Sequence, residues 1–439
     1  MVYARRCLAL LCLALAAPLF AAETPAPVPA SMPGAAAAPA AEAAAPKIDL
    51  ITFGPGSIYW ERFGHNALLV RDPGSSRGRL YNYGMFDFGQ KNFFLNFARG
   101  YMQYRLAVQS FPHALGSYAQ ESRWVYFQEL DLPDDARREL ATFLEWNAAP
   151  EHADYRYDYF RDNCSTRVRD AIDKASGGAI GRIAKGAPSG RSYRFEATRL
   201  IGPDRILALG MDLGMGSSAD APIDLWQQSF VPMVLMDVVR QVKLADADGS
   251  TRPLVSREGW LLQSDAWPEP AAPPPALLPL AAIGLACGLL LVLLDRARRY
   301  RAACWAFAFI AFFASLKAAL GGLVLIASWS LTEHWAMWAN RNLLLLDPLC
   351  LLLLPTWFRS AWSSWTPRRW QRRLALFIAA GATLSLPLLL LPGAQHNLPW
   401  IAAWLPTQLA LAWAIWRRPV TSPAEVVRAA AHAGGSVVP

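Results

Sequence analysis

The residue best suited to covalent chemistry in this chain is Cys164, which lies in the polar run Asp162-Asn-Cys-Ser-Thr-Arg-Val-Arg-Asp170. The other five cysteines lie in strongly apolar stretches, at Cys7, Cys12, Cys287, Cys304 and Cys350. A cysteine without a partner in an exported domain is either a buried spectator or a nucleophile. The charged and polar neighbours of Cys164 favour the nucleophile.

A catalytic cysteine needs a lowered thiol pKa and an adjacent base. The pattern predicts a helix that begins at Cys164, runs to Ser176 and is stopped by Gly177-Gly178. The free N–H groups and the dipole of a helix start stabilise a thiolate, and the same amides can hold an oxyanion. Asn163 and Asp162 are both suitable capping residues for this helix.

His65 is the best candidate for the base. It lies in Arg62-Phe-Gly-His-Asn66 at the entry to a predicted strand, and Gly64 would let the backbone turn tightly there. His113 and His152 are the other histidines of the same region, and both have the surroundings of solvated surface groups. We therefore predict a Cys164–His65 pair.

A third group should orient the imidazole ring. If His65 lies in a hairpin, the neighbouring strand carries that group, and Asn82 is the first choice, with Tyr83 and Asn66 as alternatives. Tyr83 and Arg167 are also candidate substrate-binding residues. Arg167 could face a phosphate or a carboxylate, or it could be an ordinary salt-bridge partner.

The segments around these residues predict an α+β domain over 47–250. A short apolar run at 67–70 and an aromatic run at 80–83, separated by turn residues at 72–76, predict a hairpin. Alternation over 123–131 predicts a strand, and helical spacing over 134–147 predicts a helix. The aromatic stretch 86–104 is either core and loop packing or a surface for acyl chains or a membrane interface.

The N-terminus has the pattern of a secretory signal peptide over 1–22, with Arg5 and Arg6 before an apolar run that ends at Ala21-Ala22. Residues 23–46 are almost entirely Ala and Pro, which predicts a disordered tether. The pattern contains no phosphate-binding glycine loop and no zinc-type spacing, so we predict neither a cofactor nor a metal.

The C-terminal part predicts a membrane domain over 277–417, preceded by a Pro-rich linker over 251–276 and followed by a cytoplasmic tail over 418–439. Each apolar segment approaches the ~20 residues that cross a bilayer. The five predicted spans are 277–294, 303–327, 343–358, 374–392 and 398–416.

Arginine placement predicts the orientation of these spans. Alternate loops and the tail carry twelve arginines against Asp295 and Glu425, whereas the intervening loops hold only Arg341. With five spans, the domain over 47–250 lies outside and the C-terminus lies in the cytoplasm. Residues 23–276 carry 26 basic and 30 acidic residues, so the net charge of +8 reflects topology and argues against nucleic acid as a partner.

The order of His65 and then Cys164 at a helix start resembles circularly permuted papain-like enzymes, including the NlpC/P60-related and lecithin:retinol acyltransferase-like groups. Four motifs look more closely like the Lnb N-terminal periplasmic domain of bacterial lyso-form lipoprotein intramolecular transacylases. They are Phe53-Gly-Pro-Gly-Ser57, Arg62-Phe-Gly-His-Asn66, Tyr81-Asn-Tyr-Gly-Met-Phe-Asp-Phe88 and the run around Cys164. The resemblance covers about 47–250, and the segment 333–342 also looks similar to the C-terminal part of that family.

The leading hypothesis is a membrane-tethered thiol acyltransferase acting on a lipidated substrate. Cys164 would attack an ester carbonyl, His65 would shuttle the proton, and an amine would take up the acyl group. The resemblance implies that this amine is the N-terminus of a bacterial lipoprotein, and that the protein lies in the inner membrane with its site on the periplasmic side. The alternatives are a cysteine hydrolase of the same fold, acting on a peptidoglycan amide, a peptide or a lipid ester, and a non-catalytic membrane scaffold. The oligomeric state is left open.

Polar residues also cluster in one predicted outer loop of the membrane part, at Glu333, His334, Asn340, Arg341 and Asn342. We predict that His334, Asn340 and Asn342 bind a lipid headgroup, although the loop could equally be merely solvated. Lys317 and Asp347 are ionisable groups inside adjacent predicted spans, and the simplest expectation is that they pair.

Overall fold

The computed structural model describes residues 44–419, apart from 76–77, 87, 247 and 363. The predicted signal peptide, most of the predicted tether and most of the predicted tail therefore lie outside the described residues. The chain divides into two compact units. Unit 1 comprises Met1–Phe97, Tyr101–Ser189 and Asp224–Pro268, and unit 2 comprises Ala98–Gly100, Gly190–Ile223 and Glu269–Pro439.

Unit 1 is built on a seven-stranded antiparallel sheet in the order β11-β5-β1-β2-β3-β4-β6. Its strands are β1 Lys47–Phe53, β2 His65–Arg71, β3 Gly78–Met85, β4 Gln103–Ser110, β5 Val125–Leu130, β6 Asp154–Arg156 and β11 Val255–Leu262. Two short strands lie where the chain passes between the units, β7 Pro188–Ser192 and β8 Pro222–Asp224, and a further pair is formed by β9 Lys243–Ala245 and β10 Thr251–Pro253.

Helices cover both faces of this sheet, because successive residues of the central strands point to opposite faces and most of them are buried. The helices are α1 Phe93–Arg99, α2 Phe111–Gln120, α3 Asp134–Ala148, α4 Cys164–Ala175 and α5 Ala179–Ala184, followed later in the chain by α8 Leu225–Gln228 and α9 Pro232–Gln241. On one face Leu50 and Leu68 pack with side chains of α3, α4 and α9. On the other face Phe53 and Leu69 pack against α2.

Most of the predicted elements of this unit are confirmed. The predicted hairpin is β2 with β3, in a register that runs from Leu68 opposite Tyr81 to Arg71 opposite Gly78. The predicted helix at Cys164 begins at that residue, and a left-handed glycine follows its end, Gly177 with φ +63°. The α+β class is therefore correct.

The assignment of 251–276 to a linker was wrong for its first half. Residues 251–253 are strand β10, and β11 pairs with β5 as the edge strand of the main sheet, with Glu258 opposite Gln128. The polar side chains of β11 suit an edge strand, because such a strand is exposed to solvent along its outer edge. Apart from Pro253, the prolines that suggested a linker come later, from Pro268 onward.

Unit 2 contains the membrane helices. Among the described residues, four helices are long and apolar enough to span a bilayer: Leu277–Arg296 (α10), Arg301–Leu331 (α11), Arg369–Leu390, of which Arg369–Leu384 is α-helical (α13), and Leu398–Trp416 (α14). A fifth candidate is a pair of short helical segments, Trp335–Leu344 and Pro348–Arg359, bent by 43° at the break. The latter segment ends in the short helix α12, Leu354–Arg359. Two further helices, α6 Tyr193–Leu200 and α7 Arg205–Gly214, belong to this unit although the sequence assigned them to the exported domain.

The break in the third candidate span lies at Asp347-Pro348. The carboxylate of Asp347 accepts a hydrogen bond from the N–H of Leu349 at 2.8 Å, so it caps the second half of the bend. Lys317 is exposed on its helix, and no salt bridge joins it to Asp347 in the described part of the chain. The expected Lys317–Asp347 pair is therefore wrong, because the capping role satisfies the aspartate instead.

A buried carboxylate ties together the helix ends that arginine placement assigns to the cytoplasm. Asp295, at the end of α10, is 2% exposed and is bound by Arg418 and, at 3.5 Å, by Arg417. Arg298 lies 3.9 Å from the same carboxylate. A buried carboxylate is tolerated when cations neutralise it, so these arginines have a packing role as well as a topological one.

Candidate active site

The start of helix α4 is fixed by a capping box. Asn163 has extended backbone and its side chain accepts a hydrogen bond from the N–H of Thr166 at 2.9 Å, while the Thr166 hydroxyl accepts one from the N–H of Asn163 at 2.8 Å. This makes Cys164 the first residue of the helix. Asp162, the other predicted cap, instead forms a bidentate ion pair with Arg167 at 2.6 and 2.7 Å.

The polar neighbours of Cys164 attach the helix start to the sheet. The hydroxyl of Ser165 lies 2.8 Å from the side-chain oxygen of Asn66 and 2.6 Å from the carbonyl oxygen of Ser229. Asn66 in turn donates from its side chain to Thr52 Oγ1 at 2.8 Å. Ser165, Asn66 and Thr52 are all fully buried, so this chain of hydrogen bonds holds α4 against β2 and β1 without solvent.

His65 and Asn82 lie within hydrogen-bond distance, with His65 Nε2 3.2 Å from Asn82 Oδ1. The amide nitrogen of Asn82 donates to the carbonyl oxygen of Leu80 at 3.3 Å, which turns Oδ1 toward the ring. An acceptor at Nε2 favours the tautomer with a proton on that nitrogen. Nδ1 is then the unprotonated nitrogen and can accept a proton.

Helix α4 begins where strands β2 and β3 separate, since their ladder stops at Leu68 and Tyr81. The backbone N–H of Asn66, the residue after His65, is directed at the thiol of Cys164. On the other side lies Gly84, with φ +87°, where a Cβ atom would be 3.3 Å from the Cβ of Cys164. The thiol therefore sits between the two strand ends that carry His65 and Asn82.

Gly84 lies at the candidate site, although the sequence did not single it out. It lies at a register shift of the β3–β4 ladder between Asn82 and Met85. A glycine inside a strand pattern often marks a bulge or a close backbone approach, and that signal was available in Tyr81-Asn-Tyr-Gly. Its left-handed backbone and its missing side chain together make room for Cys164.

Burial raises the pKa of the Cys164 thiol to about 11. The N–H groups of Asn66, Ser165 and Cys164 itself act in the opposite direction, as expected for a helix start, but the loss of hydration outweighs them. The predicted lowering of the thiol pKa is therefore wrong. At neutral pH the resting group is a thiol, because so few water molecules reach it.

Burial also lowers the pKa of His65, to about 4, although the hydrogen bond with Asn82 acts in the opposite direction. The ring of His65 stacks on Phe53, with centroids 5.7 Å apart, and this apolar contact contributes to the desolvation. At neutral pH the imidazole is therefore uncharged and able to accept a proton. A neutral thiol and a neutral imidazole suit general-base catalysis rather than a preformed ion pair.

Arg123 supplies positive charge to both groups, lowering the pKa of His65 and of Cys164. It is 5% exposed, donates from Nε to the carbonyl oxygen of Gly54 at 2.9 Å, and lies 4.6 Å from the ring centroid of Tyr118. A buried cation near the site favours negative charge that develops on substrate or sulfur. The sequence showed Arg123 only as the beginning of a strand, so nothing local pointed to this role.

Tyr83 and Arg167 do not share the surroundings of the Cys164–His65 pair. The Tyr83 hydroxyl donates to Asn147 at 2.7 Å, and Arg167 lies 3.8 Å from the ring centroid of Tyr155 while paired with Asp162. Both line a cavity of about 490 Å³ between α3 and α4. Neither Cys164 nor His65 lines it, so the ordinary salt-bridge interpretation of Arg167 fits its contacts well.

The predicted headgroup-binding asparagines hold unit 2 together. The amide nitrogen of Asn340 donates to the carbonyl oxygens of Leu213 and Gly214, at 2.8 and 2.9 Å, at the end of α7. Asn342 donates to Leu213 at 3.0 Å and accepts from Asn397 at 2.8 Å. The side-chain amides of both asparagines already form buried hydrogen bonds within unit 2. Nothing in their contacts supports the prediction that they bind a lipid headgroup. His334 is half-buried, and its backbone N–H donates a hydrogen bond to Thr332 Oγ1 at 3.3 Å.

Within the described ranges, no cluster of three or more His, Cys, Asp or Glu residues could hold a metal ion. The four cysteines in that part of the chain, Cys164, Cys287, Cys304 and Cys350, all carry free thiols.

Comparison with known protein families gave two matches. The model of the Lnb N-terminal periplasmic domain matches residues 37–185, and the model of the Lnb transmembrane domain matches residues 274–416. No curated protein and no solved structure matched the chain. The protein is thus a membrane protein with an extracytoplasmic α+β domain and a helical transmembrane domain. It belongs to the Lnb family.

Proposed function

We propose that this protein is a membrane-tethered thiol acyltransferase that acts on lipidated substrates. Cys164 is the nucleophile, His65 is the general base and Asn82 orients the imidazole. The observation that supports this proposal is the approach of the helix start at Cys164 to the strands that carry His65 and Asn82. His65 Nε2 lies 3.2 Å from Asn82, and the N–H of the next residue, Asn66, is directed at the Cys164 thiol.

The first half-reaction forms a thioester. The thiol proton passes to His65 as the sulfur attacks the ester carbonyl of a lipid, and the N–H groups of Asn66 and Ser165 face the developing negative charge. The C–O bond then breaks, and His65 returns the proton to the leaving alcohol. The products are an acyl group on Cys164 and a lipid that has lost that acyl chain.

The second half-reaction transfers the acyl group to an amine. The amine attacks the thioester, an amide forms, and Cys164 is released as a thiol. The resemblance to lyso-form lipoprotein transacylases suggests the N-terminal amine of a bacterial lipoprotein as the acceptor. In this proposal the protein lies in the inner membrane with its C-terminus in the cytoplasm, as the arginine distribution predicts.

The test uses the full chain in proteoliposomes that contain a phospholipid labelled in its acyl chains and a lipopeptide with a free N-terminal amine. We expect labelled amide from the wild type and from the control Cys287→Ala, whose thiol lies in a membrane helix. Cys164→Ala should form none, and His65→Ala should be slower by about a hundredfold or more, the usual cost of losing a general base.

Three results would reject or revise the proposal. Undiminished amide formation by Cys164→Ala would reject the nucleophile. Labelled fatty acid without labelled amide would make the protein a hydrolase of the same mechanism. No labelled product of either kind from the wild type would reject acyl transfer from phospholipid.

A further inference from the structure

Unit 1 exposes a patch of large apolar side chains that the proposed chemistry does not use. We call it the aromatic face, and its residues are Ile58, Tyr59, Trp60, Phe88 and Phe94. Phe94 is 72% exposed and Phe88 is 49% exposed. Single exposed apolar residues are common, but five large ones that include neighbouring rings are unusual on a protein surface surrounded only by water.

The rings of this face contact one another. Tyr59 and Trp60 have centroids 4.6 Å apart, and Trp60 and Phe88 have centroids 6.4 Å apart. Phe93 joins Phe88 to Phe94, at centroid distances of 5.0 and 5.4 Å. The face is thus one continuous surface drawn from the segment before β2 and from the segment 88–94.

A row of buried and half-buried rings connects the aromatic face with the nucleophile. Trp60 lies 6.2 Å from Phe86, Phe86 lies 5.1 Å from Tyr104, and Tyr104 stacks on Tyr157 at 4.2 Å. Tyr157 closes one side of the space at Gly84, where the Cβ of Cys164 closes the other. The aromatic face and the nucleophile are therefore joined by one continuous set of packed rings.

The chemistry of the face matches the boundary of a bilayer. Trp and Tyr concentrate at the level of lipid headgroups, and Phe and Ile extend into the hydrocarbon. The same segment carries an exposed cation, Lys91, as is typical of surfaces that face lipid phosphates. The membrane helices of the chain keep this domain at a bilayer, so lipid is the apolar partner always present.

We propose that the aromatic face inserts into the outer surface of the bilayer in which the chain is anchored, and that the lipid substrate reaches Cys164 across it. The inference rests on the proposed acyl transfer for its substrate. The inference adds that the acyl chain reaches Cys164 from the bilayer, across the aromatic face. A second copy of the chain or another protein seated on the face would be the competing explanation.

The test places the photo-crosslinking residue p-benzoylphenylalanine at Phe94 or at Phe88 in the full chain. The protein is reconstituted in nanodiscs of phospholipid with alkyne-labelled acyl chains and illuminated, and lipid adducts are measured by mass spectrometry. Trp146 is the matched control, because it is 54% exposed in the same unit and lies on α3, away from the aromatic face. We expect lipid adducts from both positions of the face and at most background from Trp146.

Adducts with protein rather than lipid, or equal lipid yields at Phe94 and Trp146, would overturn the inference. This readout needs no turnover, so it stands even if acyl transfer fails. A second arm compares Phe94→Ser and Trp60→Ser with Trp146→Ser. The first two should transfer acyl groups from bilayer lipid about tenfold more slowly, the factor that burial of one large apolar side chain contributes. All three should react equally with a water-soluble short-chain ester. Unchanged transfer from bilayer lipid would also count against the inference.

Discussion

At the scale of single residues, Cys164 and His65 are both held in their uncharged forms. Burial dominates both pKa shifts, raising the pKa of the thiol to about 11 and lowering that of the imidazole to about 4. In the proposed mechanism a proton would therefore move from the sulfur of Cys164 to the imidazole of His65 during the reaction itself. A thiol with so high a pKa should react only slowly with small electrophiles at neutral pH.

The pH dependence of alkylation tests this resting state. The rate of Cys164 alkylation by iodoacetamide should rise by about tenfold per pH unit toward pH 11, because only the thiolate reacts and its fraction rises as the pH approaches the thiol pKa. Peptide mapping isolates the Cys164 peptide from those of the membrane cysteines. Unfolded protein serves as the control, and its alkylation rate should level off near the ordinary thiol pKa of 9.0. A plateau that begins between about pH 5 and pH 7 would show a preformed thiolate and contradict the account.

Some of the site was visible in the sequence because it depends on local patterns. The prediction that Asn82 lies beside His65 followed from the hairpin pattern, since residues of adjacent strands that point to the same face are neighbours. The net pKa of Cys164 was not visible. It depends on how much protein surrounds the thiol, and part of that protein comes from segments far away in the chain, such as the one that contains Asn66. The sequence correctly predicted that the N–H groups at the helix start lower the thiol pKa, but burial raises that pKa by more.

At the scale of elements, the site depends on a helix start inserted between two diverging strand ends. Asn163 and Thr166 fix where the helix begins, and Ser165 attaches it to Asn66 on β2. Gly84 clears the space on β3. The polar residues around Cys164, which first suggested chemistry, therefore serve mainly to position its thiol.

The role of Gly84 can be separated from simple backbone strain. Gly84→Ala places a methyl group 3.3 Å from the Cβ of Cys164 and also strains a backbone with φ +87°. Gly74→Ala is the matched control, because φ there is +76° and a methyl group would meet no atom within 4 Å. Each variant should lose about 1 kcal/mol of unfolding free energy.

Only Gly84→Ala should also lower the rate of acyl transfer, by about tenfold or more, because misplacing a nucleophile is costly even when the protein remains folded. Thermal unfolding and transfer rate are measured on the same preparations. Equal transfer rates in the two variants would show that Cys164 does not need the space at Gly84.

Elements defined by local periodicity were predictable, and those defined by long-range pairing were not. The spans and the helix at Cys164 follow from runs of neighbouring residues. Strand β11 joins the sheet by pairing with β5, more than a hundred residues earlier in the chain, and its polar side chains resemble those of a loop. The segment Gly190–Ile223 likewise belongs to unit 2 through contacts such as that of Asn340 with Leu213.

At the scale of the whole molecule, one chain combines an α+β domain that carries the candidate site with a set of membrane helices. The buried Asp295 gathers arginines from separate helix ends, and the asparagines of 340–342 hold α7 within the membrane unit. A multi-span anchor of this kind is more than a soluble hydrolase needs, and it suits an enzyme whose substrate is itself a lipid. The central claim is therefore that Cys164 takes an acyl group from that lipid.

Trapping the acyl-enzyme tests this claim most directly. The full chain in nanodiscs of phospholipid is incubated without any acceptor amine, and its intact mass is measured before and after treatment with neutral hydroxylamine, which cleaves thioesters. The account predicts a mass increase of one acyl chain on Cys164, removed by hydroxylamine, absent from Cys164→Ala and unaffected in Cys287→Ala. A wild-type protein that never acquires the acyl group, or an adduct that persists in Cys164→Ala, would contradict it.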